Sequence, residues 1–372
     1  MKILVDNVAI YTATSNKRFI NKGYLYIDKG LIASVGEGEP PPELEFADYI
    51  IEGKYAVAVP GFVVGIGNLI DYLLRFKSFA RNRFEILSTL TINDIQTLLS
   101  ITLASLTLNG VTSVITYVSP INHKILTGLA LAASECWVRV RMLIPVEATD
   151  INTVEDMVRN TLRSVKEPEA ITKGIISFGL YVKRDISNNI IELAKSLNAQ
   201  LYIDNTLVVN PLVRQNLRNF IVLTQTEIEE LEGIDRISVT SATLWKKGRG
   251  LVSFDPLNLN PRILITSLNR VLEDPRTIAD ILCHYNPVNL DIGNKSIEGG
   301  NIADIIILDY SKPPIGPIPL SEIDIVEEIS LTNYAVETSL IAGELTIDQG
   351  LTLNIGDKHV RKAQAILESI KH

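Results

Sequence analysis

Residues 57–68 read Val57-Ala58-Val59-Pro60-Gly61-Phe62-Val63-Val64-Gly65-Ile66-Gly67-Asn68. The apolar run is typical of a buried β-strand, and the Pro60-Gly61 pair indicates a turn within it. Neither histidine nor an acidic residue occurs in this stretch, and the first carboxylate after it is Asp71. The sequence therefore predicts a core strand that ends on an amide, Asn68.

Strands alternate with helical segments after this stretch, as in parallel βα units. The helix predicted over 93–109 has Thr91 or Asn93 as its N-cap and Gly110 at its end. The later strands are predicted at 111–117, 138–145, 174–182, 200–204, 220–224, 236–240 and 262–266. With the opening strand this makes about eight, the number that a closed (β/α)8 barrel of the TIM type requires.

Both ends of the chain are rich in β-strand patterns. Residues 2–56 include a hairpin signal at Asp28-Lys29-Gly30, and strands are predicted again at 303–309 and 336–347, before an amphipathic helix over 357–370. We expect the two ends to form one small discontinuous β-sandwich domain. The predicted divisions are 1–56 and 296–355 for this domain, 57–295 for the barrel and 356–372 for the C-terminal helix.

Composition restricts the class of partner. The net charge of -8 and the pI near 5.2 argue against a nucleic-acid partner, because nothing attracts the chain to phosphate backbones. The N-terminus lacks the apolar core of a signal peptide, and no uncharged apolar run is long enough to span a membrane. Two distant cysteines, Cys136 and Cys283, suit buried thiols in a reducing compartment. We expect a soluble cytoplasmic protein that binds neither membrane nor nucleic acid.

Three segments outside the barrel resemble the amidohydrolase superfamily. Residues 19–36 resemble its opening hairpin, residues 296–309 its Gly-Ser-Ile-Glu-x-Gly-x-x-Ala-Asp return into the β domain, and residues 340–344 the strand that follows. Pro60-Gly61-Phe62 resembles the entry to its first barrel strand. The branch most similar is that of S-adenosylhomocysteine, guanine and cytosine deaminases and triazine hydrolases. The resemblance implies the same barrel and β domain.

The resemblance also implies a divalent metal held by histidines and an aspartate at the strand ends, whose bound water attacks a carbon. This sequence departs from that pattern at every such position. The residues that stand there are Ile66, Asn68, Asp204, Gln225 or Thr226, and Leu268 or Asn269. We therefore expect no metal and no cofactor. The four histidines, His123, His284, His359 and His372, are interpreted as exposed or capping residues.

Asp204, at the end of the fifth predicted strand, is the candidate catalytic residue. A carboxylate there could act as a base or hydrogen-bond acceptor, or could be paired with Lys183, Arg184 or a helix N-terminus. The side chains expected to line the barrel mouth with it and to bind a ligand are Asn68, Tyr117, Tyr181, Asn205, Gln225 and Asn269.

Two functional hypotheses remain open. In the first, the chain has lost metal-dependent C–N hydrolysis and acts as a binding or assembly subunit for a small polar ligand, a protein partner or a second copy in a homodimer. In the alternative, it is an amidohydrolase or deaminase that acts on a cyclic amide or amidine C–N bond, through a non-standard site around Asp204 or through an unrecognised set of ligands.

Overall fold

The computed structural model describes residues 1–14, 17–69, 83–119, 121–215, 217–226, 235–253 and 260–370. Its strands, numbered in chain order, are β1 Lys2–Tyr11, β2 Phe19–Asp28, β3 Leu31–Glu37, β4 Tyr49–Glu52, β5 Ala56–Pro60, β6 Phe62–Ile66, β7 Val111–Tyr117, β8 Arg139–Pro145, β9 Ile176–Val182, β10 Gln200–Asp204, β11 Phe220–Thr224, β12 Ile237–Val239, β13 Gly250–Ser253, β14 Ile305–Asp309, β15 Ala335–Ile341, β16 Glu344–Asp348 and β17 Leu351–Thr352.

The α-helices are α1 Arg83–Thr89, α2 Ile92–Thr107, α3 His123–Cys136, α4 Ile151–Ser164, α5 Pro168–Thr172, α6 Asn188–Ser196, α7 Pro211–Arg214, α8 Pro261–Leu272, α9 Pro275–Asp280, α10 Asn286–Leu290, α11 Glu322–Ser330 and α12 Asp357–Ile370. Short 3-10 turns lie at Pro42–Phe46, Asn205–Leu207, Leu217–Asn219 and Ala242–Leu244, and a π-helical turn at Ile281–Tyr285. Among the described residues, no helix is both long and apolar enough to cross a bilayer.

Strands β6 to β13 form a closed parallel barrel, which confirms the predicted TIM-type architecture. The barrel order follows the chain, and β13 closes onto β6 with Val252 opposite Gly65 and Ser253 opposite Ile66. Parallel strands joined by helices place all their carboxyl ends on one face of the barrel, which is where the active sites of such barrels lie.

The remaining strands form a mixed sheet from both chain ends, in the order β17-β16-β15-β14-β5-β1-β2-β3, with β4 paired to β1. Strand β1 is parallel to β4 and β5, and β14 is antiparallel to β5. Fully buried aliphatic residues such as Ile3, Val5, Ile27, Ile305 and Leu340 make up its core. The expected β domain built from the two ends is therefore present.

Residues 57–68 form two strands instead of the single predicted strand. Strand β5 belongs to the mixed sheet, and β6 belongs to the barrel. The change occurs at Gly61, whose backbone N donates to the oxygen of Asp304 at 3.0 Å. A Cβ at this position would lie 2.2 Å from Oγ1 and Cγ2 of Thr112. Glycine is needed here because any side chain would clash with that threonine.

The strand predicted over 262–266 is wrong, because these residues lie in helix α8. Asn260 caps the helix by accepting a hydrogen bond from the backbone N of Arg262, and Pro261 occupies its first turn. Leu264, Ile265 and Leu268 are buried on one face, at helical spacing. The eighth barrel strand is instead β13, Gly250–Ser253. The strand predicted over 336–347 is likewise a hairpin, β15 and β16, which turns at Gly343 with φ of 72°.

By contact density the chain divides into two compact units. One comprises residues 1–64, 106–113 and 260–353 and holds the mixed sheet with α8 to α11. The other comprises residues 65–105, 114–259 and 354–372 and holds most of the barrel with α12. The side chains discussed below at the carboxyl ends of the barrel strands all belong to this second unit.

Candidate functional site

Asp204 is the last residue of β10 and is partly exposed at the carboxyl-end face of the barrel. Its Oδ1 accepts hydrogen bonds from the backbone N of Thr206 at 3.0 Å and from Thr206 Oγ1 at 2.8 Å. The carboxylate thus caps the 3-10 turn Asn205–Leu207. Within the described part of the chain no donor reaches Oδ2, and neither Lys183 nor Arg184 pairs with the carboxylate. One oxygen holds the turn and the other is left for a ligand or a water molecule.

Tyr181 and Tyr117 meet at the ends of β9 and β7. Their ring centroids are 6.0 Å apart, and the planes are at 83°, an edge-to-face contact. Burial raises the pKa of the Tyr181 hydroxyl well above its usual range, and the negative charges of Asp204 and an ionised Tyr117 would add to the shift. Burial also raises the pKa of Tyr117. Tyr181 therefore remains a neutral phenol at physiological pH and can donate a hydrogen bond.

The ammonium of Lys183 lies above both rings. Its Nζ is 5.5 Å from the centroid of Tyr117 and 5.6 Å from that of Tyr181, within the range of a cation–π interaction. These contacts hold a positive charge at the barrel mouth although the side chain is exposed. The sequence predicts Lys183 only as a possible ion-pair partner for Asp204.

Asn68 follows β6 and is buried, with 7% of its surface exposed. Its Nδ2 donates to the backbone oxygen of Ser119 at 2.5 Å. Two further hydrogen bonds tie this segment to β7, from Tyr117 N to Gly67 O at 2.5 Å and from Leu69 N to Thr116 Oγ1 at 2.9 Å. Asn68 therefore holds the segment after the first barrel strand in place, and its amide is oriented by the backbone.

Asn205 and Gln225 lie at the same face, after β10 and β11. Asn205 Nδ2 donates to Thr226 Oγ1 at 2.9 Å, so the ends of these two strands are joined by side chains. Gln225 is exposed. Of the predicted mouth residues, the structure thus places Asn68, Tyr117, Tyr181, Asp204, Asn205 and Gln225 at the carboxyl ends of barrel strands.

Asn269 does not lie at a barrel-strand end, and its prediction as a mouth residue is wrong. It lies on α8, where its Nδ2 donates to the backbone oxygen of Ser330 at 2.6 Å and its Oδ1 accepts from Ser330 Oγ at 3.2 Å. The error follows from the misplaced eighth strand.

In the sequence, the true eighth strand is followed by Phe254-Asp255, which lie outside the described residues. An aspartate therefore does follow this strand, where the resemblance requires one, and Leu268 is not its replacement.

The described donors at the strand ends do not match a zinc site. They include the amides of Asn68, Asn205 and Gln225, two phenols and the carboxylate of Asp204, whereas zinc in proteins is held by thiolate, imidazole and carboxylate groups. In the portion of the chain that the structure describes, no three His, Cys, Asp or Glu side chains come close enough to share a metal ion. No reaction step is therefore derived through a metal.

Three of the histidines make hydrogen bonds to described residues. His123 Nδ1 is 3.2 Å from Thr127 Oγ1, His284 Nδ1 is 3.3 Å from the oxygen of Lys295, and His359 Nε2 is 3.3 Å from Glu135 Oε1. His372 lies outside the described residues. His123 is exposed, whereas His284 and His359, also interpreted as exposed or capping residues, are half-buried.

A cavity of about 240 Å³ opens beside the ends of β8 and β9. Pro145 and Tyr181 contribute its apolar surface, and Glu147, Lys183, Arg184 and Asp185 contribute charges of both signs. Glu147 is not among the residues predicted from the sequence to line the barrel mouth. A signal for it was its position two residues after a predicted barrel strand, where functional side chains are common.

Comparison with known proteins gives relatives of one fold. No family model matches the chain. A segment of 63 residues is 44% identical to a 5-methylthioadenosine/S-adenosylhomocysteine deaminase of Syntrophomonas wolfei, and it makes up 17% of this chain and only 14% of that relative. The match thus spans about a seventh of the relative's length.

Solved structures match over nearly the full length. The atrazine chlorohydrolase of Arthrobacter aurescens TC1, complexed with zinc, has a TM-score of 0.69 at 12% identity, with 98% of this chain and 100% of that chain covered. An adenosine deaminase from Xanthomonas campestris with bound zinc has a TM-score of 0.67 at 14% identity, with 99% and 98% covered. At this identity, the likeness establishes the fold.

Proposed function

We propose that this chain, which has the fold of the amidohydrolase superfamily, hydrolyses a C–N bond of a cyclic amide or amidine at the carboxyl-end face of its barrel. The observation that supports this most is the position of Asp204, at the end of the fifth barrel strand, with Oδ2 available and Tyr181 close enough to be affected by its charge. Two of the structural relatives are an atrazine chlorohydrolase and an adenosine deaminase.

In this proposal Asp204 is the general base. Its free oxygen takes a proton from a water molecule while the water oxygen bonds to the ring carbon. The Tyr181 phenol, kept protonated by burial, donates a hydrogen bond to the oxygen or nitrogen that gains negative charge. The C–N bond then breaks, and the leaving nitrogen accepts the proton that Asp204 holds. The proton that Asp204 takes from water is the one that the leaving nitrogen receives, so no further proton donor or acceptor is needed.

A second candidate function is a binding or assembly subunit without turnover. The position that the resemblance gives to the second histidine of the metal pair holds Asn68, whose amide is committed to Ser119. A side chain used in this way supports the loop and leaves catalysis to other groups. The two candidates share the same barrel mouth, and they differ in whether a bound ligand is converted.

The test is a turnover assay on the full chain, with ammonia release measured for adenosine, guanine, cytosine and an amino-substituted triazine, and ring opening measured for a cyclic amide. The proposal expects turnover of at least one compound, lowered about 100-fold or more in Asp204→Asn, in the range that general-base catalysis supplies. Asp156→Asn is the matched control, since Asp156 is exposed on α4. Binding of these compounds with neither ammonia release nor ring opening would overturn the first candidate in favour of the second.

Elemental analysis of protein purified without a metal-binding tag provides an independent check. A site built around Asp204 predicts less than a stoichiometric amount of transition metal. One equivalent of zinc that is retained through dialysis, and whose removal abolishes turnover, would contradict the non-standard site.

A further inference from the structure

Another cavity lies at the amino ends of β10 and β11. It measures about 500 Å³, within the ~300 to 1,000 Å³ typical of small-molecule sites. Its walls come from α6, from the turn that leads into β10, and from the first residues of β10 and β11. Asp204 and Thr224 are at the opposite, carboxyl ends of the same two strands. This amino-end cavity is therefore separate from the candidate site around Asp204.

A short helix explains why the amino-end cavity exists. Each strand of a (β/α)8 barrel is followed by a helix that packs on the outside of the barrel. Helix α7, which follows β10, has only 4 residues, whereas α6 has 9 and α3 and α4 have 14 each. One turn covers less of the barrel than a helix of usual length. A groove therefore remains along α6.

The charges in the wall of the amino-end cavity neutralise each other. Of the described residues that line it, only Glu192 and Lys195 are charged, and Lys195 Nζ lies 2.8 Å from Glu192 Oε1. A charged ligand would have to break this pair or enter without a counter-charge, which costs free energy. The cavity therefore favours an uncharged ligand.

Four carboxamide side chains supply the remaining polar groups of the wall. Gln200 is half-buried, and its Nε2 donates to the backbone oxygen of Asn219 at 3.0 Å and to that of Leu201 at 3.4 Å. These bonds fix the amide, and within the described chain its Oε1 accepts no hydrogen bond. Gln200 thus presents an acceptor oxygen whose orientation is already set, which lowers the entropic cost of binding.

The other three carboxamides belong to Asn188, Asn198 and Asn219, all exposed to solvent. Among the residues that the structure describes, none of these side chains has a hydrogen-bond partner. Each carboxamide offers donors and an acceptor together. The apolar part of the wall comes from the side chains of Ile191, Ala194, Leu201 and Phe220. The cavity thus combines an apolar surface with uncharged groups that both donate and accept.

We propose that the amino-end cavity binds a neutral sugar. A hydroxyl group also donates and accepts, so hydroxyls spaced around a ring can bond to carboxamides on several sides. The C–H groups of the ring would pack on the apolar part of the wall. This inference does not depend on the proposed function, because it concerns the opposite end of the strands.

Four probes separate hydroxyl recognition from charge and ring shape. D-glucose, D-glucosamine and D-glucuronate share one ring and differ in charge, and cyclohexanol has a six-membered ring with one hydroxyl. We expect NMR titration of the full chain to give saturable D-glucose binding, with a dissociation constant at least about tenfold below that of cyclohexanol. Neither charged sugar should bind more tightly than D-glucose. No saturable D-glucose binding, equally tight cyclohexanol, or tighter binding of a charged sugar would overturn the inference.

Substitutions locate the binding. Asn188→Ala and Asn219→Ala should each raise the dissociation constant of D-glucose about fivefold or more, because each removes a hydrogen-bonding group. Asn189→Ala is the matched control, since Asn189 is an exposed asparagine of the same helix that does not line the cavity. An equal effect of Asn189→Ala, or unchanged binding in both other variants, would contradict this location. Urea denaturation checks that all three variants are folded.

The outcome is independent of turnover. D-glucose has no C–N bond, so its binding is measured whether or not the chain hydrolyses any compound. Selective D-glucose binding without turnover in the other assay would leave the sugar site standing and remove the hydrolase. Turnover without D-glucose binding would do the reverse.

Discussion

Thr206 donates two hydrogen bonds to the same oxygen of Asp204, one from its backbone N at 3.0 Å and one from its hydroxyl at 2.8 Å. The carboxylate therefore has a structural role through Oδ1 and leaves Oδ2 for chemistry. These two roles can be separated by substitution, because an asparagine side chain retains an acceptor oxygen and loses the charge.

Asp204→Ala should lower the free energy of unfolding by about 1 kcal/mol, the usual cost of losing a capping side chain. Asp204→Asn should change it by less than about 0.5 kcal/mol, because asparagine is an equally good cap. Urea denaturation of the two variants and the wild type measures both values. Equal destabilisation by alanine and asparagine would show that the charge, and not the acceptor oxygen, holds the turn.

Tyr181 should make stability fall at high pH. Burial raises the pKa of its hydroxyl above 10 in the folded chain, whereas the unfolded chain ionises this group near pH 10. Above that pH the unfolded state binds fewer protons than the folded state, so the free energy of unfolding decreases as pH rises. Tyr181→Phe removes this contribution.

The measurement for Tyr181 is urea unfolding of the wild type and Tyr181→Phe at pH 7 and pH 11. Other buried tyrosines, such as Tyr11 and Tyr334, act equally in both proteins, so the difference isolates position 181. The variant should gain stability relative to the wild type between the two pH values. A constant difference would mean that the phenol is not desolvated in the folded chain.

Gly61→Ala should destabilise the chain by about 1 to 3 kcal/mol, the range for overpacking a filled core. The new Cβ would lie 2.2 Å from the Thr112 side chain, so either Thr112 or the backbone between β5 and β6 must move. Gly299→Ala is the matched control, because its nearest neighbour would be the oxygen of Ala33 at 3.9 Å. If both alanines have the same effect in thermal denaturation, the close approach at Gly61 does not constrain the fold.

Asn269→Ala should leave ligand binding at the barrel mouth unchanged and lower the free energy of unfolding by about 1 kcal/mol per lost hydrogen bond. Its side chain joins α8 to Ser330 at the end of α11. Titration with the heterocyclic compounds of the turnover assay and urea denaturation report the two effects separately. Weaker binding at unchanged stability would restore Asn269 to the ligand site.

Much of the architecture could be predicted from periodicity and turn signals. Strand β7 and helix α12 have the bounds that the sequence predicts, because each is a clear pattern between strong breakers. The eighth strand could not be found this way. Residues 262–266 are apolar and β-branched enough to suggest a strand, while β13 is only four residues long. The Asn260-Pro261 pair was the available helix-start signal.

Residues of the candidate site could be predicted only where the end of the strand before them was predicted correctly. Five of the mouth residues lie at the ends of correctly predicted strands, and Asn68 follows the second half of a stretch that forms two strands. Asn269 instead lies in a helix that was predicted as a strand. The roles of these residues depend on contacts that no local pattern contains. The bond from Asn68 to Ser119 joins residues 51 apart in sequence, and the Lys183 ammonium lies over the ring of Tyr117, which belongs to a different strand. The position of Glu147 in the cavity wall became evident only from the structure.

The most direct test of the account is the rate of ammonia release by the wild type, Asp204→Asn and Asp156→Asn, measured with the same heterocyclic amine under the same conditions. We predict turnover by the wild type and Asp156→Asn at equal rates. Asp204→Asn should be slower by a factor of about 100 or more, at unchanged stability. Equal rates for all three proteins would contradict the role of Asp204, and bound but unconverted ligand in all three would contradict hydrolysis at this barrel.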